Sequence, residues 1–177
     1  MIMPMMHCVT LLGGSNHPLK EAILERARAV VERRVGRVVR SSSVHYSEPW
    51  GFEADEPFAN VAWVVESELE PEAVLCEVLA AEQEVGRDRE AEEREKALTG
   101  QRYASRVVDI DVIFYDDIEW HSPTLTLPHP RVWEREFALI PLKEVGIQNS
   151  KFTAAIKRGQ SQARLSYAER EQTREDL

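Results

Sequence analysis

Two aspartates, Asp109 and Asp111, interrupt the otherwise apolar stretch RVVDIDVIFYDD at residues 106–117. Because side chains alternate faces along a β-strand, the two carboxylates share one face, with their Cα atoms roughly 6.5 to 7 Å apart. The opposite face of the strand is then wholly apolar and consists of Val108, Ile110, Val112 and Phe114. The acidic end of the stretch, Asp116 and Asp117, is predicted to be a solvated turn. Two like charges side by side in such a strand are unfavourable unless a counter-charge or a bound ligand offsets them.

A divalent cation is one offset that suits this carboxylate pair. Mg²⁺ is a hard cation that takes oxygen ligands, keeps several waters and completes its shell with substrate phosphates. Two carboxylates on one strand face can hold two such ions about 3.5 to 4 Å apart, the spacing of two-metal phosphoryl-transfer sites. Arg106 directly precedes the strand, and Arg87 and Arg89 border a charged segment upstream of it. Arginines on a flexible segment can close over phosphates and neutralise charge in the transition state.

Other patterns in the sequence are weaker evidence for a catalytic or binding site. The Asp-x-Asp pattern alone is also typical of the solvent-exposed face of a half-exposed strand. The sequence pattern leaves that interpretation open. The run Gly13-Gly14-Ser15-Asn16 lacks the Lys-Ser/Thr of a P-loop, so it is interpreted as a strand-to-helix turn in which Asn16 caps the helix. Asn60 stands inside an apolar strand and needs hydrogen-bond partners there. No His/Cys spacing fits a zinc site, and no Ser/His/Asp set is legible.

The composition is that of an ordinary globular protein. A chain of 177 residues with 43% hydrophobic and 30% charged residues is long enough for one domain with a core. The formal net charge of −9 argues against a nucleic-acid coat. Cys8 and Cys76 lie in apolar segments and are predicted to be reduced core residues of a cytoplasmic protein. No apolar run approaches the roughly 20 residues of a membrane span, so neither nucleic acid nor a membrane is expected as a partner.

Hydrophobic periodicity predicts the elements that position these residues. Strands are predicted at residues 6–12, 37–49, 58–69 and 107–114, and helices at residues 19–35 and 71–86. The order β-α-β-β-α-β is the split βαβ plan of the ferredoxin-like α/β plait, an α+β fold. We expect an antiparallel sheet with both helices on one face and the other face free for a binding site. A C-terminal extension, a hairpin around Trp120 and a short helix, would follow this core.

Two segments lack an apolar stripe. Residues 87–102 are mostly charged and have few apolar residues, which is typical of a solvated helix extension or a mobile loop. Residues 148–177 are polar and aperiodic, and we expect a partly disordered tail there. The whole of residues 1–177 is predicted to be a single domain.

With these elements in order, the chain resembles the 6-hydroxymethyl-7,8-dihydropterin pyrophosphokinases of folate synthesis. The matching stretches follow the order of the family: GGSNH, SEPWG…PFANVAW, EQEVGR, SRVVDIDVIFYDD and LPHPRVWEREFALIPL. They cover about residues 9 to 145. The resemblance implies a ferredoxin-like fold and an enzyme that transfers the terminal diphosphate of ATP to the hydroxymethyl group of the pterin, releasing AMP.

The resemblance also implies roles for individual residues. Asp109 and Asp111 would hold two Mg²⁺ ions, and Arg87 and Arg106 would act on the phosphates; these four are the predicted catalytic residues. The residues predicted to bind the pterin are Ser47, Pro49, Trp50, Phe58, Asn60 and Phe137. The residues predicted to bind ATP are Glu82, Arg89, Thr126, His129 and Arg135. Small-molecule substrates would be the partners of a cytoplasmic monomer.

The sequence departs from the family pattern at a few positions. Leu79, Thr124 and Pro130 stand where family members often have Gln, a basic residue and Tyr, and Tyr103 takes the place of a Trp.

Two rival functions stay open at this level. A nucleotidyltransferase also places paired aspartates on a strand of a similar sheet, but it would release pyrophosphate rather than AMP. A non-catalytic ferredoxin-like module would bind a metal or a small ligand without turnover and would need no mobile arginines.

Overall fold

The structure, a computed structural model, describes residues 3–48, 56–100 and 106–159. The seven strands of this part of the chain are β1 His7–Ser15, β2 Arg37–Ser41, β3 His45–Ser47, β4 Phe58–Ser67, β5 Asp109–Tyr115, β6 Trp120–His121 and β7 Thr126–Leu127. The helices are α1 Lys20–Arg34, α2 Pro71–Val85, α3 Arg89–Thr99 and α4 Glu136–Val145, with a 3₁₀ turn at Val132–Glu134 before α4. Residues 150–159 are helical as well.

Five strands form one antiparallel sheet. Its order is β2-β4-β1-β5, and β3 pairs with β4 as well, at residues 58–60. Strand β1 pairs with β4 on one side and β5 on the other. The predicted ferredoxin-like α+β fold is therefore confirmed, with β2 and β3 together in the place of its second strand. The predicted strand at 37–49 is interrupted after Ser41, and a register shift between Val38 and Arg40 precedes the break.

The main core lies between one face of the sheet and the helices α1 and α2, which also contact each other. Trp63 of β4 is 1% exposed and lies across β1, where a Cβ added to Gly13 would come within 2.6 Å of its ring. The predicted turn at Gly13-Gly14-Ser15-Asn16 is therefore wrong for its first three residues. They continue β1, and the glycine serves the packing of a large ring rather than a change of direction.

The opposite face of the sheet is not as free as the sequence predicted. Ala62 and Val64 alternate with the core residues of β4, and they are also buried. Helix α4 contacts β4 and β3, and it buries Ala138 and Leu142 of its own. A third helix therefore covers part of the face that the ferredoxin-like plan leaves bare.

A bulge in β5 changes which of its side chains join the core. Thr10 pairs with Phe114 but Leu11 pairs with Val112, so Ile113 is an extra residue in β5. A bulge reverses the alternation of the strand beyond it. Tyr115 therefore joins the main core in place of Phe114, which lies with its ring centroid 6.2 Å from that of Trp133.

The end of β5 is tied to the start of β1. Asp116 has a φ of 47°, and its carboxylate accepts the backbone N–H of Cys8 at 2.7 Å and contacts His7 Nδ1 at 2.7 Å. It is thus a bonded part of the turn rather than a merely solvated residue. The prediction of core cysteines is wrong: Cys8 and Cys76 are free thiols in exposed residues, because Cys8 precedes the buried stretch of β1 and Cys76 lies on the solvent side of α2.

The charged segment after α2 forms a separate helix. Gly86, at a φ of 122°, ends α2, and Asp88 caps α3 by accepting the backbone N–H of Ala91 at 3.0 Å. The helical interpretation of residues 87–102 is thus confirmed for Arg89–Thr99. Glu92 is buried on α3, which is unusual for a charged side chain and indicates a bonded partner.

The chain divides into two compact units, Met1–Gly146 and Ile147–Leu177. In the second unit the predicted aperiodic tail contains the helical residues 150–159, and Asn149 Oδ1 accepts the backbone N–H of Phe152 at 3.0 Å. The single-domain organisation stays a prediction. In the described part of the chain, no helix is long and apolar enough to cross a membrane.

Candidate active site

The site is built on three neighbouring strands. Gly14 of β1 pairs with Asn60 of β4 and with Asp109 of β5, and Leu12 pairs with Asp111 in the next row. Residues that pair across an antiparallel sheet project to the same face. The register therefore places the carboxylate pair and the Asn60 amide on one face, separated by a glycine without a side chain.

Two cavities meet at the carboxylate pair, Asp109 and Asp111, which belongs to the walls of both. The first cavity holds about 580 Å³ of space that opens to solvent, and the second about 690 Å³. The predicted site residues in the wall of the first are Ser47, Phe58, Asn60, Arg106, Arg135 and Phe137. Those in the wall of the second are Glu82, Arg87, Arg89, Thr126 and His129. A group bound at the carboxylate pair would thus face reactants from two sides.

Asp109 is held by two arginines. Its Oδ1 accepts Arg87 Nη1 at 2.9 Å and its Oδ2 accepts Arg106 Nη1 at 2.7 Å. Hydrogen bonds between ionised partners are the stronger ones in proteins. The two guanidinium groups supply the counter-charge that an acidic residue in an apolar strand requires.

Arg87 is the centre of a buried ionic network. Its side chain is 7% exposed, and Glu92 of α3 binds it with both oxygens, at 2.8 and 3.1 Å. Its Nη1 also lies 3.0 Å from Glu82 Oε1. Burial opposes the charge, yet the bonds to Glu92 and the charges of Glu82 and Asp109 raise the pKa of Arg87 above its ordinary value. Helix α3 therefore holds this arginine over the carboxylate pair.

Glu82 of α2 ties the network to the strand itself. Its Oε1 accepts the backbone N–H of Ile110, between the two aspartates, at 2.7 Å, and its Oε2 accepts Arg89 Nη2 at 2.7 Å. Burial raises the pKa of Glu82, and the charge of Arg87 opposes that rise. Both carboxylate oxygens are engaged, so Glu82 fixes the strand and the arginines in position.

Asp111 has a different environment from Asp109. Its Oδ2 accepts Arg135 Nη1 at 3.2 Å, and His129 Nε2 lies 3.9 Å from its Oδ1. Burial and the neighbouring charge of Asp109 raise the pKa of Asp111 to about 7, although Arg135 and Arg106 oppose the shift. The negative charge of the pair is therefore incompletely balanced at Asp111.

His129 presents an N–H to this region. Its Nδ1 accepts the backbone N–H of Arg131 at 3.2 Å, which places the ring proton on Nε2. Burial and the nearby charge of Arg135 lower the pKa of His129 to about 4. At neutral pH the ring is an uncharged donor whose Nε2–H lies on the Asp111 side.

The first cavity combines aromatic walls with one buried amide. Asn60 is 3% exposed, and its Nδ2 donates to Ser47 Oγ at 2.8 Å and to the His45 carbonyl at 3.3 Å. The predicted need of Asn60 for hydrogen-bond partners is thus met. Phe58 and Phe137 line the same cavity.

Every predicted site residue that the structure describes lies in the wall of one of the two cavities. One of them lies in a different cavity from the one its predicted role implies. Arg135, predicted for the nucleotide, lines the first cavity, with its guanidinium 5.8 Å from the ring centroid of Phe137. Pro49 and Trp50 lie outside the described residues, as does Tyr103. Cavity residues that the sequence does not predict as site residues are Leu12, Gly14, Glu48, Leu75, Leu79, Ile110, Val112, Thr124 and Leu125. The Gly13-Gly14 pair is a usable signal for the first of these cavities, because Gly14 lies in its wall.

Asn16 has a different partner from the one predicted. Helix α1 begins at Lys20, and no side-chain cap comes from Asn16; its Oδ1 instead accepts the backbone N–H of Arg106 at 3.3 Å. The residue therefore supports the segment that leads into β5 rather than the helix.

Known proteins resemble this chain over most of its length. Residues 10–147 match the family described as 7,8-dihydro-6-hydroxymethylpterin-pyrophosphokinase (HPPK). The 2-amino-4-hydroxy-6-hydroxymethyldihydropteridine pyrophosphokinase of Porphyromonas gingivalis is 36% identical over 141 residues, which cover 79% of this chain and 91% of that protein. The protein of the same name from Bacillus subtilis is 29% identical over 153 residues, or 86% of each chain.

Solved structures share the fold. An HPPK-DHPS in complex with substrates superposes with a TM-score of 0.65 at 14% identity, covering 92% of this chain and 44% of that one. Wild-type Plasmodium falciparum HPPK-DHPS with pteroate gives a TM-score of 0.65 at 13% identity, covering 93% and 46%. The chain thus spans less than half the length of these two proteins.

Proposed function

This chain belongs to the 7,8-dihydro-6-hydroxymethylpterin-pyrophosphokinase family, and we propose that its reaction takes place where the two cavities meet. It is an ATP-dependent pyrophosphokinase of folate biosynthesis, which transfers the terminal diphosphate of ATP to the hydroxymethyl group of 6-hydroxymethyl-7,8-dihydropterin. The observation that carries the residue-level proposal is that Asp109 and Asp111 line both cavities.

The bond changes require two reactants to meet at one point. The hydroxyl oxygen of the pterin forms a bond to the β-phosphorus of ATP, while the bond from that phosphorus to the oxygen bridging the α-phosphorus breaks. The bridging oxygen leaves with AMP, and the hydroxyl proton passes to solvent. We place the pterin in the first cavity and ATP in the second, so that the hydroxyl group and the β-phosphate approach the carboxylate pair from opposite sides.

The first cavity suits a flat heterocycle. Phe58 and Phe137 would stack on the two faces of the ring, and the buried Asn60 would bind its polar edge. Ser47 holds the Asn60 amide in place. Pro49 and Trp50 remain predicted pterin residues.

The carboxylate pair suits Mg²⁺. Asp109 and Asp111 supply oxygen ligands of the kind that Mg²⁺ takes, and the unbalanced negative charge at Asp111 supports the binding of a cation there. We propose that they hold two ions together with the ATP phosphates and water. Bound there, the ions would neutralise phosphate charge and lower the pKa of the pterin hydroxyl.

The arginines change partners in this proposal. Arg87 and Arg106 pair with Asp109, and once a cation neutralises that carboxylate their guanidinium groups can bind the phosphates. Arg89, Thr126 and His129 would bind the nucleotide from the wall of the second cavity, and Arg135 from the junction. We assign Glu82 a positioning role, because both its oxygens already hold the strand and the arginines.

Incubation with ATP, Mg²⁺ and hydroxymethyldihydropterin tests the activity. We expect AMP and pterin diphosphate in equal amounts, and no AMP without pterin. Release of inorganic pyrophosphate would support a nucleotidyltransferase instead, and binding without any product would support a non-catalytic module. We also propose a cytoplasmic monomer that acts on small molecules; light scattering of the purified protein tests the monomer.

A further inference from the structure

The β6–β7 hairpin is short, yet it forms a wall of the second cavity. Its two strands pair only at Trp120 with Leu127 and at His121 with Thr126. A two-stranded hairpin is at best marginally stable without other contacts. Thr124 and Thr126 nevertheless line the cavity, so the hairpin must be held from outside for this wall to keep its shape.

Glu72, in the first turn of α2, supplies that hold. Its Oε1 accepts the Trp120 indole N–H at 3.1 Å and the hydroxyl of Ser122, and its Oε2 accepts Thr124 Oγ1 at 2.7 Å. Ser122 Oγ in turn accepts the backbone N–H of Leu125 at 3.0 Å. These bonds from Ser122, Thr124 and Trp120 lower the pKa of Glu72, so the carboxylate is ionised at neutral pH.

The bonds of Glu72 act mainly on the tip of the hairpin. Apolar contacts hold most of the hairpin, because Trp120, at its base, packs against the main core and Leu125 and Leu127 belong to that core. Ser122 and Thr124, at the tip, are bound by the carboxylate instead. Loss of Glu72 would therefore loosen the tip while the core stays packed.

We propose that Glu72 is a positioning residue for the nucleotide: it fixes Ser122 and Thr124 at the hairpin tip, so that this wall keeps the second cavity in the shape that binds ATP. This role rests on the proposed function of that cavity. It also accounts for Thr124, whose side chain lines the cavity. Here the side chain at this position binds the scaffold through Glu72.

The decisive variant is Glu72→Gln, tested for binding of α,β-methylene ATP, which cannot undergo the transfer. With Mg²⁺ present, we expect calorimetry to show affinity about five- to tenfold weaker, the size of effect that hydrogen bonds to a charged acceptor have. The kcat at saturating ATP and the KM for pterin should change less than about twofold. Glu68→Gln is the matched control, because Glu68 is exposed and precedes the same helix, and it should bind the analogue like the wild type.

A double variant distinguishes the loss of the Thr124 hydrogen bond from the loss of the Glu72 charge. Thr124→Val should weaken analogue binding about two- to threefold. Adding it to Glu72→Gln should weaken binding by less than that, because Glu72→Gln has already removed the charged acceptor of the Thr124 hydroxyl. If thermal unfolding shows that Glu72→Gln is not folded, the same binding measurement is made on Thr124→Val and Ser122→Ala. Wild-type affinity in these folded variants would then overturn the positioning role.

The outcomes separate this role from the proposed function. Unchanged analogue affinity in folded Glu72→Gln would overturn the positioning role while wild-type AMP formation leaves the function intact. Parallel losses in kcat, pterin KM and analogue affinity would overturn it too, because they indicate a general structural effect. If the wild type forms no pterin-dependent AMP but the analogue still binds less tightly to Glu72→Gln, the proposed function fails and the positioning role stands.

Discussion

The two aspartates of the carboxylate pair are chemically unequal. Asp109 accepts hydrogen bonds from two guanidinium groups, at 2.9 and 2.7 Å. In the described part of the chain Asp111 accepts one, from Arg135 at 3.2 Å. Both side chains are 24% exposed, but Asp111 has fewer cationic partners to offset its burial.

The raised pKa of Asp111 predicts a pH-dependent stability. Between its ordinary value of 3.8 and about 7, the carboxyl group keeps a proton in the fold that it loses in the unfolded chain. The unfolding free energy therefore falls as pH rises through this window. Asp111→Asn cannot ionise, so the metal-free variant should be more stable than the wild type at pH 8, by on the order of 1 to 3 kcal/mol.

Urea unfolding in EDTA at several pH values measures this difference. The advantage of Asp111→Asn should shrink as the pH approaches 4, where both proteins carry a neutral group at this position. Asp117→Asn, a change at an exposed residue beyond the strand, is the control and should follow the wild type. A variant that is no more stable than the wild type at pH 8 would contradict the unbalanced charge at Asp111.

Variants of the two predicted catalytic arginines should differ in stability. Arg87 is 7% exposed and its removal leaves Glu82 and Glu92 buried without it, so Arg87→Ala should lower the unfolding free energy by about 3 to 5 kcal/mol. Arg106 is 21% exposed, and Arg106→Ala should cost less than about 1 kcal/mol. Both variants should lose kcat by roughly 100-fold or more, with a smaller effect on pterin binding. Denaturant unfolding and steady-state kinetics of the same samples test this prediction. Equal stability of the two variants would be evidence against the buried network.

At the scale of elements, local patterns predicted what depends on local sequence. Helix α2 and strand β4 match the predicted 71–86 and 58–69 closely, because each has its own periodic apolar pattern and, for α2, a proline at the start. The shared face of Asp109 and Asp111 is equally local, since alternation alone determines it.

What the sequence did not predict depends on contacts between distant segments. The bulge at Ile113 comes from how β5 pairs with β1, and the covering of the second face comes from where α4 packs. Neither feature can be recognised in the local hydrophobic pattern of the sequence. The cavity wall at Gly14 was missed for the same reason, because its neighbours are Asn60 and Phe58, more than forty residues away along the chain.

The adjacent glycines of β1 should respond differently to the same substitution. A Cβ at Gly14 would lie 3.5 Å from Asn60 Oδ1 and 3.8 Å from Phe58, which is ordinary contact, but it would occupy the floor of the first cavity. Gly14→Ala should therefore fold normally and raise the KM for pterin by about tenfold or more, with the KM for ATP unchanged. A Cβ at Gly13 would lie 2.6 Å from the Trp63 ring, so Gly13→Ala should cost about 1 to 3 kcal/mol of stability instead.

Thermal unfolding and kinetics with each substrate varied in turn distinguish the two glycine variants. If Gly14→Ala weakened ATP binding as much as pterin binding, the first cavity would not be the pterin site. If Gly13→Ala were as stable as the wild type, the packing of Trp63 would not explain that glycine.

At the scale of the whole molecule, the site is a concentration of cations in an acidic protein. The formal net charge is −9, yet the two cavities together carry Arg87, Arg89, Arg106 and Arg135 in their walls. Each of these arginines faces a carboxylate of the same region. The four arginines are thus paired with carboxylates of the protein itself, and phosphates that bind to them, as we propose, would replace these partners.

This exchange predicts opposite effects of one substitution on two ligands. Arg106→Ala removes a counter-charge from Asp109, so Mg²⁺ alone should bind the variant more tightly than the wild type, by about two- to tenfold. The same variant has lost a phosphate-binding group, so α,β-methylene ATP with Mg²⁺ should bind it less tightly, by about tenfold. Calorimetric titration of both proteins with each ligand measures the two effects, and Arg94→Ala, at an exposed residue of α3, is the control expected to change neither. A loss of affinity for both ligands would show that Arg106 does not compete with the cation for Asp109.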